Sequence, residues 1–209
     1  MKKILLSLFA ISITWAAISQ NHLHLKSGKS FTSFMFKDSE GVKDKNLNYV
    51  FNNYFGISYD KYLNDRNIIR GEFAFREAGA QAIIDEVKYE WNFNYLDLNV
   101  AYLFKYLGND RFGLHIGAAP TLGFLLTGEQ SIGQQYFDVK KERAIKTVDF
   151  GINFLTNAQF KVADKISVLL EYRYGLGLLN IETDGNNPDQ VTQNRSHFIL
   201  AGLSFNLNK

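Results

Sequence analysis

From residue 96 onward the chain alternates between apolar and polar or small side chains with a period of two, and few folds accommodate so long a run of that pattern. Leu96, Leu98, Val100, Tyr102, Phe104 and Tyr106 are interleaved with Asp97, Asn99, Ala101, Leu103 and Lys105. The pattern recurs from Phe112 to Leu126, Val148 to Val162, Ile166 to Leu179 and Phe198 to Leu207, and more weakly from Tyr49 to Tyr59 and Ile69 to Arg76. Successive side chains of a strand point to opposite faces, so each run predicts a strand. An eighth strand, from about His22 to Phe36, is assigned by position because its alternation is mixed. Between Tyr89 and Tyr95 the apolar residues sit at odd positions and change parity at Leu96, which predicts a bulge or a separate extension above a membrane. Pro120 cannot donate to a ladder, so a bulge or strand end is expected there.

The connections alternate without exception between long (about 37–48, 77–88, 128–146 and 182–194) and short (61–66, 107–111 and 163–165). In an up-and-down meander this puts the long loops at one rim and the tight turns, with both termini, at the other. Greek-key sandwiches do not require it. No helical period, linker or longer repeat interrupts the strands, so residues 20–209 read as one domain.

Alternation alone does not say which face is inside. On the seven clear strands no apolar-face position carries a charge, while the other face holds Asp60, Arg70, Glu72, Arg76, Asp97, Lys105, Asp149, Lys161, Glu171 and Arg173 among glycine, alanine and serine. A charge at mid-bilayer on a barrel costs about 2–4 kcal/mol for Arg or Lys, so the uncharged face suits lipid. The other face suits the lumen of an eight-stranded barrel, which is just wide enough to be filled by side chains. The expected fold is therefore all-β: an eight-stranded antiparallel up-and-down transmembrane β-barrel with four long external loops and three short periplasmic turns. Buried charges must be paired, which predicts a lumen network of Arg70, Glu72, Arg76, Asp97, Asp149, Lys161, Glu171 and Arg173. Tyr49, Tyr59, Trp91, Tyr95, Tyr106, Tyr136 and Tyr172 lie near strand ends, where interfacial aromatic girdles form.

Tyr95-Leu96-Asp97-Leu98-Asn99-Val100-Ala101-Tyr102-Leu103-Phe104-Lys105-Tyr106, the run Gly117-Ala118-Ala119-Pro120-Thr121-Leu122-Gly123-Phe124-Leu125-Leu126 and the run Tyr174-Gly175-Leu176-Gly177-Leu178-Leu179-Asn180-Ile181 resemble strands of the PorT-type outer-membrane β-barrel family. Members of that family usually carry proline at the position of Asn99 and end on an aromatic residue, whereas this chain ends Phe205-Asn206-Leu207-Asn208-Lys209. The resemblance implies a bacterial outer-membrane location and, for most members, no activity.

The amino terminus agrees with export. Met1-Lys2-Lys3, an apolar run from Ile4 to Ile18, and small residues at Ala17 and Ser19 make a secretory signal peptide over residues 1–19. Its removal takes Lys2 and Lys3 from the 23 basic residues and leaves 21 against 21 acidic ones, a balance that argues against a nucleic-acid partner. The chain lacks cysteine, which excludes disulfides, thiolate metal sites and a lipid anchor on cysteine.

No phosphate-binding loop, metal-ligand spacing or nucleophile elbow is present, so no catalytic residue, metal or cofactor is expected. His22 and His24 share one face and are weighed as metal ligands, but no carboxylate or cysteine lies close to them in sequence. His115 falls on the lumen face, where hydrogen bonding is its expected role. Ser196-His197 at the loop rim raises the alternative of a lipid-modifying barrel enzyme, without an identifiable partner acid. The leading expectation is a non-enzymatic barrel with a plugged polar lumen, acting in surface binding or in envelope assembly and secretion. Its partners would be outer-membrane lipid, the barrel-assembly machinery during biogenesis, and a protein at the external loops or periplasmic rim. The loop at 128–146 offers Tyr136, Phe137, Lys140, Lys141 and Arg143, a mixture of aromatic and basic groups common at recognition surfaces.

Overall fold

The computed structural model describes residues 21–44, 46–183 and 189–208; the expected signal peptide lies outside the described residues. The strands are β1 (Asn21–Lys37), β2 (Val50–Tyr62), β3 (Asn67–Ile84), β4 (Val87–Gly108), β5 (Phe112–Ile132), β6 (Gln135–Asp138), β7 (Val148–Ala163), β8 (Ile166–Gly177) and β9 (Val191–Asn206). Eight of them pair antiparallel with their neighbours in chain order, and β1 pairs with β9 to close a ring. Closure leaves no free edge, which is what a spanning sheet needs where no water can satisfy the backbone. The additional strand, β6, folds back on the outer end of β5 and takes no place in the ring.

The predicted alternation governs which side chains enter the lumen. Along β3, Arg70, Glu72, Ala74 and Arg76 are buried, while Ile69, Phe73 and Phe75 are exposed on the outer face. Short turns at 63–66, 109–111 and 164–165 join the strands at the periplasmic end.

Two local expectations resolve differently, and a third holds with its shift on the neighbouring strand. The connection at 77–88 is not an irregular loop: β3 and β4 stay paired as far as Ile84↔Val87 and turn through Asp85 and Glu86, at φ 50° and 64°. The parity change at Leu96 coincides both with a register shift in the β4–β5 pair, between Asn94 and Tyr95, and with the start of an extension beyond the lipid; β4 itself keeps its odd residues Phe93, Tyr95, Asp97 and Asn99 facing inward. The interior itself turns from charged to apolar at that level, and the register shift lies on β5 at Leu126. Pro120 sits within β5 opposite Ile152, exposed on the lipid side; its ladder to β4 lapses between the Asn99↔Thr121 and Tyr102↔Ala118 pairs without changing register. A missing donor interrupts two residue pairs there without ending the strand.

Candidate functional site

The lumen is layered, and β3 presents a residue to each layer. Nearest the periplasm Ile68 packs with Ala101, Leu103, Ala119 and Leu155. Above it lies the central ion group. Arg173 donates from Nη1 and Nη2 to the two oxygens of Glu72, both at 2.7 Å, and from Nε to Glu171 at 2.5 Å. Its Nη1 also reaches the Tyr54 hydroxyl at 2.9 Å, and that hydroxyl donates to Glu72. Lys26 bridges Glu72 and Glu171, the latter at 3.2 Å. Arg70 forks onto Asp60 at 2.6 and 2.8 Å and reaches Glu171 at 2.6 Å. His24 Nε2 lies 3.0 Å from Asp60 Oδ2.

A layer of Tyr54, Ala74, Phe198 and Leu200 follows, and then a second ion group. Arg76 donates to Asp97 at 2.6 and 3.2 Å, lies 3.5 Å from Asp149 and sits 4.3 Å from the centre of the Tyr95 ring. Asn194 donates to Asp149 at 2.9 Å. Gly123 makes room for this pair, because a Cβ there would lie 2.9 Å from Asp97 Oδ1. Between the groups Asn99 donates to Glu72 at 3.3 Å, Thr121 donates to Asn99 at 2.5 Å, and Asn153 donates to Thr121 at 2.6 Å. Every strand of the ring thus contributes a polar side chain to the filling of the lumen.

Of the sequence-predicted network, the structure brings together Arg70, Glu72, Glu171 and Arg173 in one group and Arg76, Asp97 and Asp149 in the other. Lys161 does not join them. It has the inward parity but sits at the end of β7, in the periplasmic mouth, exposed and 3.5 Å from Asp164. Lys105 is half-buried at the same mouth. Sequence reasoning missed Lys26 and Tyr54. The signal for Lys26 was Leu23 and Leu25 pointing outward, with His22, His24 and Lys26 inward between and beyond them. Among the described residues no group of three His, Cys, Asp or Glu side chains is arranged to hold a metal ion.

The outer surface shows where the lipid ends. Lys29 donates to Asn53 at 2.6 Å, Asn53 donates to Glu77 at 2.7 Å, and Asn94, paired with Glu77 across β3 and β4, donates to Thr127 at 2.7 Å. This polar belt runs across five consecutive strands. Below it, the outward residues of β4 from Leu96 to Tyr106 are uncharged. Ten residue steps along a strand cover about 33 Å, or about 25 Å along the normal at the usual barrel tilt, the height of an apolar barrel band. Above the belt β4 carries Lys88, Glu90 and Asn92 outward, with Lys88 and Glu90 2.6 Å apart, and a second core lies inside. That core contains Phe34, Ala78, Ala80, Phe93, Tyr95, Leu125, Val139, Ile145 and Ile181.

The predicted loop contacts divide at this outer rim. Tyr136 is 80% exposed, whereas Phe137 packs against the outer core. Lys140 donates to the Leu126 carbonyl at 2.5 Å. Lys141 and Arg143 remain exposed. The Asp138 carboxyl accepts from the Lys141 backbone N–H and faces its ammonium at 3.1 Å, which holds it below the ordinary carboxylate range. Ser196 and His197 do not share a site: Ser196 is buried in the lumen, and His197 points outward, its Nδ1 2.9 Å from the Tyr172 hydroxyl.

A closed antiparallel ring with an ion-paired lumen and an uncharged lipid band is a transmembrane β-barrel of the bacterial outer membrane. The chain belongs to the outer membrane protein beta-barrel domain family, which matches residues 4–205. No curated protein matches its sequence. Among solved structures it is similar to Neisserial surface protein A, at 11% identity and TM-score 0.51, over 88% of this chain and 96% of that one. It is also similar to the attachment invasion locus protein Ail of Yersinia pestis (14% identity, TM-score 0.44, 89% of this chain and 99% of that one). The outer membrane protease OmpT of Escherichia coli is a third (10% identity, TM-score 0.47, 90% of this chain and 97% of that one).

Proposed function

We propose that this barrel is a non-conducting, non-enzymatic outer-membrane protein that works by binding at its outer rim. The observation that carries the reading is the double ion group in the lumen, within a polar filling to which every strand of the ring contributes: a filled interior leaves a surface, not a channel, as the place of action. The outward projection of β3 to β6 above the polar belt supplies that surface, and Tyr136, Lys141 and Arg143 are its exposed aromatic and basic groups. The separation of Ser196 from His197 across the barrel wall speaks against the lipid-modifying alternative. The resemblance to PorT-type barrels extends the reading to a role in envelope assembly or secretion, in which the periplasmic turns would carry the contact.

Cross-linking on intact cells with a reagent small enough to reach the periplasm as well as the cell surface tests the choice of rim. Deleting residues 131–141 is expected to leave a folded, heat-modifiable barrel and to abolish protein cross-links seen with the intact chain. Cross-links that survive the deletion but vanish on altering Asn64-Asp65 or Asn109-Asp110 would move the working face to the periplasm.

A further inference from the structure

We propose that the outer mouth holds a binding site for a small amphiphilic cation, an aromatic or short alkyl group bearing a positive charge; this deepens, and rests on, the reading that the outer rim is the working face. A cavity of about 250 Å³ opens there between the ends of β1, β3 and β4 and the outer connections. Its floor is Phe34 stacked on Phe93 with centroids 5.5 Å apart; Trp91 meets Phe34 edge-on at 6.1 Å, and Tyr89 stacks on Trp91 at 6.2 Å. An apolar cavity of roughly 150 Å³ holds benzene, so this one accepts one ring or a small bicycle.

The charge of the occupant follows from the rim. Among the described residues, Asp44 and Glu182 are the charged side chains lining the cavity, and both are carboxylates. Each is held in place: Asp44 Oδ1 accepts from the Asn46 N–H at 2.7 Å, and Glu182 Oε1 accepts from the Thr192 hydroxyl at 2.5 Å. An anion entering here meets like charge, whereas a cation meets two carboxylates and the faces of Tyr89 and Trp91. The cavity lies on the water side of the Lys29–Asn53–Glu77 belt, with Tyr95 and the Arg76 group closing the lumen beneath it. Ligand therefore arrives from outside the cell and goes no further. A mostly apolar concavity with a few placed polar groups is the usual form of a small-molecule site.

The chain has two tryptophans, Trp15 in the expected signal peptide and Trp91 in the cavity wall, so the mature chain reports through Trp91 alone. Its fluorescence in phosphatidylcholine nanodiscs is titrated with phenethylammonium, 2-phenylethanol and 3-phenylpropionate. The expected result is a saturable change, with the ammonium binding roughly threefold or more tighter than the alcohol, the scale of one cation–π contact, and the carboxylate weakest. Ala82→Phe, which fills the cavity, is expected to abolish the saturable signal while the barrel stays heat-modifiable on gels. Asp44→Asn with Glu182→Gln is expected to keep alcohol binding and erase the preference for the cation. A response linear in concentration, as for partition into lipid, would overturn the proposal, as would one unchanged by Ala82→Phe or an anion bound as tightly as the cation. Failure here with rim cross-links intact removes the cavity site alone; failure of the rim reading shows separately, in cross-links that survive loss of residues 131–141.

Discussion

Arg173 is the residue on which the central group turns. Only 2% exposed, it holds both oxygens of Glu72 and one of Glu171. A buried ion pair need not stabilise a fold relative to apolar packing, but removing one partner strands the other. Arg173→Leu is therefore expected to destabilise the barrel by about 3–5 kcal/mol, measured by equilibrium unfolding in bilayers, while Lys161→Ala stays within about 0.5 kcal/mol as an exposed substitution. A leucine variant as stable as the parent would show that Lys26 and Arg70 suffice to hold the two carboxylates. Residue parity sufficed to place Arg70, Glu72, Glu171 and Arg173 in the lumen. It misplaced Lys161, because parity says which face a side chain takes and not whether the lumen at that height is closed. It missed Lys26 because the outward side of β1 is apolar only at Leu23 and Leu25 before Ser27 and Lys29, and its inner side changes from polar to apolar at Phe34.

At the scale of elements, the alternation of short and long connections was legible, and the form of the long ones was not. Glu77 to Lys88 lacks a clean lipid-facing pattern because this stretch stands in water on its outer side, and a strand outside the bilayer has no reason to keep an uncharged face. The tip is visible only in backbone angles. Asp85 and Glu86 both occupy the left-handed region, as a two-residue hairpin turn demands, and neither is glycine. Left-handed φ costs a non-glycine residue about 1–2 kcal/mol, so Glu86→Gly is expected to relieve strain of about that size. Amide exchange near Ile84 and Val87 should slow accordingly, with the ring unaffected; faster exchange would mean that the glutamate side chain holds the turn by a contact of its own.

For the whole molecule, closure, strand number and the inverted sense of the barrel follow from an uncharged face opposite a charged one, a pattern that a soluble barrel reverses. What lay beyond the sequence is the stacking of two ion groups between apolar layers, since it depends on register between strands far apart in the chain. A lumen filled in this way is expected to conduct no ions, so planar-bilayer recordings should give no steady conductance above that of the lipid; large stable steps would contradict the filled lumen. The distribution of those charges also bears on how the protein can be built. Strands β1 to β4 hold three cations and three carboxylates that pair off among themselves, Lys26 with Glu72, Arg70 with Asp60 and Arg76 with Asp97. Glu171 on β8 is answered on its own strand by Arg173. The later strands therefore add one carboxylate, Asp149, that looks to Arg76 across the lumen, and the ties of β8 to Lys26, Arg70 and Glu72. The first half of the barrel can thus enter hydrocarbon with its charges already matched, and the contacts made by Glu171 and Arg173 act as a clasp that joins the last strands to the first when the ring closes.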